Sequence, residues 1–362
     1  VSKSPRQSKM QPGLAILLLW VQRCTCLLLD QSLNISSYRW PAQCSGGGWQ
    51  VAGSWRSWTP FDALLYQEEH HRTYDARLCH NPFLHKDTWR TPCALDQLVT
   101  GGFYHNPCMR KFDPVGFLSN IRGQTLSFYG DSTLGQFFES LLCSLSPAGA
   151  LVKITRKGPA GVSHVRATFT HSTVIQYVGI YGVRCPECTG LHAHDPRSQS
   201  FQQVVDTDWL VLHIGAHYQD ETLFAQDMAI VDADIRKRIR SNARLLWREY
   251  SPTHFPIVVD FNADGKAVPK VLAKHRKCEP AVLPRKRTEV EDFRRKWAND
   301  FVGARGYTIV PSFDISVGRW NSHPKADSSS STVDCRHWCN PSPVLDAWTQ
   351  ILAHVLANTS ST

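Results

Sequence analysis

From residue 123 onward the chain alternates short apolar runs with longer stretches of helical periodicity. The runs at 125–129, 209–214, 256–261 and 307–310 are too short for helices and rich in aliphatic and aromatic residues, which predicts buried parallel strands. After the first run, Leu134, Phe138, Leu141, Leu142 and Leu145 recur at a helical spacing. Residues 225–250 read as one long polar-amphipathic helix. Thr288 with Glu291 is a capping-box pattern, opening a helix whose stripe is Val290, Phe293, Trp297 and Phe301. A last helix over 344–356 turns Trp348, Ile351, Leu352 and Val355 inward. Strand and helix in alternation predict an α/β fold, a doubly wound three-layer sandwich with its ligand site at the carboxyl ends of the strands. No internal repeat is evident, and residues 328–331 form a short serine-rich loop.

The region before this pattern is different. Residues 31–112 are rich in Cys, Trp, Gly and turn formers, and predict an irregular segment held by disulfides and packed on the main domain. Residues 1–30 carry Lys3, Arg6 and Lys9 ahead of an apolar stretch at 14–21, as a signal peptide or signal anchor does. Arg23 breaks that stretch short of the roughly twenty apolar residues a membrane span needs. The sequence opens on Val1, and Met10 is a candidate start. The expected organisation is therefore 1–30, 31–112 and a main domain over 113–358. Composition agrees: 362 residues at 42% hydrophobic bury a full core without stapling, yet there are twelve Cys and twelve Trp. Cys44, Cys79, Cys93, Cys108, Cys335 and Cys339 stand singly among polar and aromatic residues, as disulfide cysteines of secreted chains do. Sequons at Asn34 and Asn358 suit the same secretory route.

The net charge of +9, from 40 basic and 31 acidic side chains, changes the picture little. Part of it is concentrated at 270–296, around Lys274, Arg276, Lys277, Arg285, Lys286 and Arg287. A solvated basic face and an attraction to an anionic glycan or membrane surface both fit. Nucleic acid is a poor candidate partner, since no reading motif accompanies the charge. A monomer is expected, with membrane contact only through an N-terminal anchor.

Chemistry enters at the end of the first strand. Gly130-Asp131-Ser132 lies where strand passes into helix, so the Ser132 hydroxyl is lifted out of the sheet beside the backbone N–H groups of a helix start. About two hundred residues later, Asp334-Cys335-Arg336-His337 puts an acid three residues before a histidine. A serine needs a base to remove its proton as it attacks, and the base needs an acid to fix its tautomer. Ser132, His337 and Asp334 in those roles make acyl-transfer chemistry.

These segments resemble the PC-esterase branch of the GDSL/SGNH hydrolases. That branch includes the neurexophilin and PC-esterase C-terminal domains and the plant trichome birefringence-like polysaccharide O-acetyltransferases. The matching residues are Gly130-Asp131-Ser132-Thr133-Leu134 with Gln136, then Phe313-Asp314-Ile315-Ser316, His323-Pro324 and Asp334-Cys335-Arg336-His337-Trp338-Cys339. Pro341, Asp346 and Trp348 follow. The resemblance covers roughly residues 105–357.

It implies an SGNH-like fold and ping-pong O-acyl transfer, most simply O-acetyl, with a glycan or glycoconjugate as acceptor and a separate acyl donor. No metal or cofactor is implied. Oxyanion donors would be the Ser132 N–H and, in a segment similar to the family's Gly-x-His, the Gly215 N–H. His217 fits a pocket-lining or a structural role equally, while Gly130 and Asp131 support the nucleophile turn. One departure stands out: related chains usually carry Arg shortly after the serine, where this one has Gly135. The rival reading is an inactive secreted binding protein of neurexophilin-related type. Cys185, Cys188, His192 and His194 have ligand types suited to zinc, although a loop disulfide or separate pairings fits them better.

Overall fold

The computed structural model describes residues 54–59, 63, 97, 102–157, 164–184, 193–218, 220–255, 257–261, 267–271, 277–279, 293–324, 334–340 and 342–359. Two short strands, β1 (Ser54–Arg56) and β2 (Phe103–His105), pair antiparallel. Trp55, Tyr104 and Met109 pack on the core of the main domain. Most of the 1–112 region, including both candidate targeting features and Cys44, Cys79 and Cys93, lies outside the described residues.

The central strand is β3 (Thr125–Gly130). It pairs in parallel with β6 (Val174–Gly179) on one side and β7 (Trp209–His213) on the other. Beyond β7 follow β8 (Arg244–Arg248) and β11 (Thr308–Val310), both parallel. Beyond β6, β5 (His164–Phe169) and β4 (Leu151–Lys157) run antiparallel to close the edge. The resulting order is β11-β8-β7-β3-β6-β5-β4. After β3 the chain first builds one side of the sheet and then crosses back to build the other. The direction of winding therefore reverses beside β3, where open α/β sheets bind ligands.

The strand residues divide between two helical layers by simple alternation. Leu126, Phe128, Trp209, Val211 and Leu246 face α1 (Pro114–Asn120), α2 (Ser132–Leu145) and the long C-terminal helix at Pro343–Thr359. Tyr129, Leu210, Leu212 and Trp247 face α3 (Gln199–Val205), α4 (Glu221–Arg238) and α5 (Ala298–Gly303). Burial on both faces is why β3 and β7 read as continuous apolar runs. Helix α2 lies between the sheet and the C-terminal helix. Phe137 meets Phe128 and Trp348 edge-on, with centroids 5.7 Å apart in each case. Truncating Phe137 to Ala would cost about 3–5 kcal/mol in cavity and lost transfer energy.

Two expectations need correction. The helix expected over 225–250 stops at Arg238, where Ile239 turns extended, and residues 244–248 become β8. Basic residues at both ends disguised that strand. Arg244 lies over the Trp209 ring at 4.7 Å and Arg248 is fully buried, so neither marks a solvated helix face. The run at 256–261 is not a parallel strand either. Its β9 (Ile257–Phe261) pairs antiparallel with β10 (Ala267–Val271) in a separate two-stranded sheet. The capping-box residues Thr288 and Glu291 lie outside the described residues; Phe293–Trp297 is a π-helical turn leading into α5. In the basic run, Arg294 is buried, donating to Tyr250 Oη at 2.9 Å, and Arg295 pairs with Glu249 at 3.0 Å and Asp314 at 2.6 Å. Those two arginines serve packing. No helix among the described residues is long and apolar enough to cross a membrane.

Candidate active site

Ser132 is the first residue of α2, and Asp131 caps the helix by accepting the Thr133 N–H at 3.0 Å. The turn needs glycine before it. A Cβ on Gly130 would lie 1.9 Å from the His213 carbonyl oxygen, because β3 and β7 converge there and Asp131 N–H donates to that same oxygen at 3.2 Å. Ser132 Oγ lies 2.8 Å from His337 Nε2, and His337 Nδ1 lies 2.6 Å from Asp334 Oδ2. The carboxylate can only accept, so Nδ1 carries the ring hydrogen and Nε2 is left to accept the Ser132 hydroxyl. Asp334 Oδ1 also accepts the Arg336 and His337 backbone N–H groups, at 3.0 and 3.1 Å. Burial alone would push the Asp334 carboxyl up. The bonds and charge of His337, with those backbone donors, outweigh burial and hold it well below the usual carboxylate range. The His337 and Asp334 side chains remain 14% and 21% exposed, so a substrate has access to the line.

Beneath Ser132 lies a buried polar floor. Asp131 Oδ1 accepts from Thr133 Oγ1 at 2.7 Å, and Oδ2 accepts the Ala216 N–H at 3.1 Å. One carboxylate thus ties the start of α2 to the segment holding Gly215. Burial opposes its charge, but His213, Arg248, His217 and Thr133 together keep its pKa well below normal. Arg248, at the end of β8, donates from Nη2 to Thr133 Oγ1 at 2.6 Å and stacks over Trp348 at 4.9 Å. Burial lowers that guanidinium to about 10, so it stays charged. Burial and Arg248 push His213 down to about 3; the neutral ring donates its Nδ1–H to Arg248 O at 2.9 Å.

Gly215 sits directly after β7 with φ of 152°, a conformation that favours glycine. His217 stacks on Tyr181 with centroids 4.1 Å apart at the same end of the sheet. Gly135 leaves no hole. A Cβ there would lie 2.8 Å from Tyr177 Cζ, so the Tyr177 ring fills the space, and its hydroxyl donates to Gly130 O and Asp131 O, 3.1 Å from each. His194 is engaged elsewhere, with Nδ1 2.6 Å from Tyr129 Oη and Nε2 3.0 Å from Asp234 Oδ2. Both nitrogens being committed, His194 is a poor zinc ligand; Cys185, Cys188 and His192 lie outside the described residues.

The 334–340 loop is fastened at several points that the sequence left without a role. Gln136 Oε1 accepts the Trp338 N–H at 2.9 Å, and its Nε2 donates to Trp338 O. Cys335 is bonded to Cys278, Cys339 is also in a disulfide, and the Cys339 N–H donates to Ser322 O. Cys278 was not among the expected disulfide cysteines, hidden in the basic run. Tyr177, Arg248 and His254 carried no sequence signal of a site either. Gln136 stood in the motif, one helical turn after Ser132, and that spacing was the signal available.

Residues 109–245 match the family model described as PC-Esterase, a GDSL/SGNH-like acyl-esterase family found in Pmr5 and Cas1p. Xyloglucan O-acetyltransferase 1 of Arabidopsis thaliana is 26% identical over 294 residues, 69% of this chain and 68% of the relative. Xyloglucan O-acetyltransferase 4 of Populus trichocarpa is 22% identical, covering 68% of each. Protein trichome birefringence-like 25 of Arabidopsis thaliana is 19% identical, over 68% of this chain and 65% of its own length.

Proposed function

We propose, from the match of residues 109–245 to the PC-esterase family model and from the site's geometry, a serine-dependent O-acyltransferase or esterase acting on glycans, with acetyl as the group moved. The observation that carries this is the continuous line from Ser132 Oγ through His337 to Asp334 at one strand end. In the reading, Ser132 Oγ bonds to the acyl carbonyl carbon while its proton passes to His337 Nε2. Asp334 holds the Nδ1–H and stabilises the imidazolium. Collapse of the tetrahedral intermediate breaks the bond to the donor's leaving oxygen, which takes the proton from His337. A sugar hydroxyl then attacks the acyl carbon, giving its proton to His337; the acyl–Oγ bond breaks, Ser132 Oγ takes that proton back and the sugar ester departs, while water in place of the sugar makes the reaction a hydrolysis. The N–H groups of Ser132 and Gly215 are the proposed oxyanion donors, each worth about 3–4 kcal/mol if aligned. Their placement fits, since Asp131 binds the backbone at Thr133 and Ala216, immediately beside both.

The acceptor class is taken from relatives named as xyloglucan O-acetyltransferases. The Cys278–Cys335 disulfide supports a secretory-pathway setting, and the main domain is proposed to span 113–358 in a monomer. Gly135 is the one observation favouring an inactive binding protein. Against that, the Tyr177 ring fills the place of a side chain at 135, and the Arg248 cation lies under the same helical turn. Incubation of the purified protein with an activated acetyl ester, with and without xyloglucan oligosaccharides, tests the proposal. Acetylated oligosaccharide is expected to depend on Ser132. Neither acetyl transfer nor ester hydrolysis with any acyl donor would leave the binding protein as the better account.

A further inference from the structure

Behind the 334–340 loop, three contacts impose a proton count on two histidines. His323 Nδ1 lies 2.5 Å from the His337 carbonyl oxygen, and His254 Nε2 lies 2.9 Å from that of Val317. A carbonyl only accepts, so both nitrogens must carry hydrogen. The remaining two nitrogens, His254 Nδ1 and His323 Nε2, face each other at 2.7 Å. That is hydrogen-bond distance, and it requires one proton between them. Two neutral imidazoles bring two ring protons; the three bonds require three. Turning either ring over would put carbons at both of its contacts, so a flipped ring does not escape the count. We propose that His254 and His323 form a singly protonated imidazole pair whose buried positive charge positions the His337 backbone and favours the neutral, proton-accepting form of the His337 ring.

The surroundings fit a rigid, charge-sharing unit. Both side chains are buried, and His323 stacks on Trp338 with centroids 4.3 Å apart and planes 20° from parallel. His254 meets the same indole edge-on at 5.6 Å, and its backbone N–H donates to Cys335 O at 2.9 Å. The charged and titratable groups acting on His323 are Asp334 and His337. Burial, with His337 pushing the same way, lowers His323 to about 4 against the upward pull of its bond to His337 O and of the Asp334 carboxylate. A proton held between two rings gains a charge-assisted bond that burial strengthens, which offsets the desolvation. The pair touches no reacting atom in this reading. It is a positioning pair, placed between the anchored loop backbone and Val317.

The charge is tested without any substrate. In the full-length protein labelled with ¹⁵N-histidine, ring nitrogen shifts and N–H couplings at neutral pH should give three ring protons for His254 and His323, one of them bridging. Two ring protons, with the facing nitrogens bare, would overturn the pair. The effect on the base rests on the acyl-transfer reading and is tested separately. His254→Gln keeps an N–H for Val317 O but cannot share the charge. His323→Asn keeps a donor for His337 O. In each variant the acid limb of the kcat/KM profile should move up by roughly one pH unit, as loss of a nearby buried unit charge predicts. An unshifted limb in both variants would remove the pair's role in setting the base. If no acyl donor is ever turned over, the proton count still decides the charge.

Discussion

Replacing Gln136 should separate the chemistry of the site from its assembly. Its side chain joins the helix that begins at Ser132 to the loop that carries His337, through both polar groups of one residue's backbone, Trp338 N–H and Trp338 C=O. Gln136 and Trp338 are fully buried. In Gln136→Leu the helix and its packing persist, but a donor and an acceptor lose their partners in a dry environment. Each orphan costs about 1–3 kcal/mol, and partial relaxation makes a net loss of about 2–4 kcal/mol reasonable against a typical total stability of about 5–15 kcal/mol. The loop carrying His337 is also released from the helix, and a displacement of about 1 Å between reacting groups costs on the order of 10²-fold in rate. Gln136→Glu sharpens the test. The protonated carboxyl of that variant makes both bonds, whereas the ionised one repels the carbonyl. Its folded pKa should therefore be raised, so the variant should match wild type below about pH 4 and lose stability as pH rises from there to that raised value. Urea unfolding across pH, with labelling by an activated-serine probe, reads both effects. Unfolding of Gln136→Leu within about 0.5 kcal/mol of wild type, together with labelling at the wild-type rate, would refute this role for Gln136.

Asp131→Asn should cost about 3–5 kcal/mol, since it leaves the buried Arg248 cation without its matching anion. The Asp131 pKa is depressed by folding, so the wild-type contribution is complete above the unfolded carboxylate value and lost as pH falls toward the folded one; the amide variant should flatten the acid limb of stability against pH. Cys278→Ser opens a loop with a sequence separation of 57 and should cost about 4 kcal/mol by chain entropy, read as a lower thermal midpoint than wild type under non-reducing conditions. Gly215→Ala forces a side chain to φ of 152° and should cost about 1–3 kcal/mol, with a fall in kcat exceeding any rise in KM if the Gly215 N–H binds the oxyanion.

Much of this arrangement is written in the chain because local signals and global fold agree. The run at 125–129 is apolar on both faces since both layers need it, and Asp131 is both helix cap and turn support. The spacing of Leu134, Phe138, Leu141, Leu142 and Leu145 names the buried side of α2 directly. What stayed illegible depends on partners distant in sequence. Arg244 and Arg248 look like solvated helix residues until Trp209 and Trp348 are laid beneath them. Strands β4, β5 and β6 went unassigned; in β4 the register shifts between Leu151 and Lys153 and Val152 is exposed, so apolar and polar positions do not alternate there. The run at 256–261 has the composition of a core strand, yet the place beside β8 is taken by Thr308–Val310. Gln136 and His323 stood in the motif and His254 did not, but all three bond to backbone atoms, and a backbone partner leaves no mark from which to read an anchoring role.

In the proposed reaction Ser132 takes the acyl group. Rapid quenching of the full chain during turnover of an acetyl ester, followed by peptide mapping, tests it most directly. One acetyl group is expected on the peptide containing Ser132, absent in Ser132→Ala and accumulating more slowly in His337→Ala. Acetyl found on another residue, or turnover undiminished in Ser132→Ala, would contradict it.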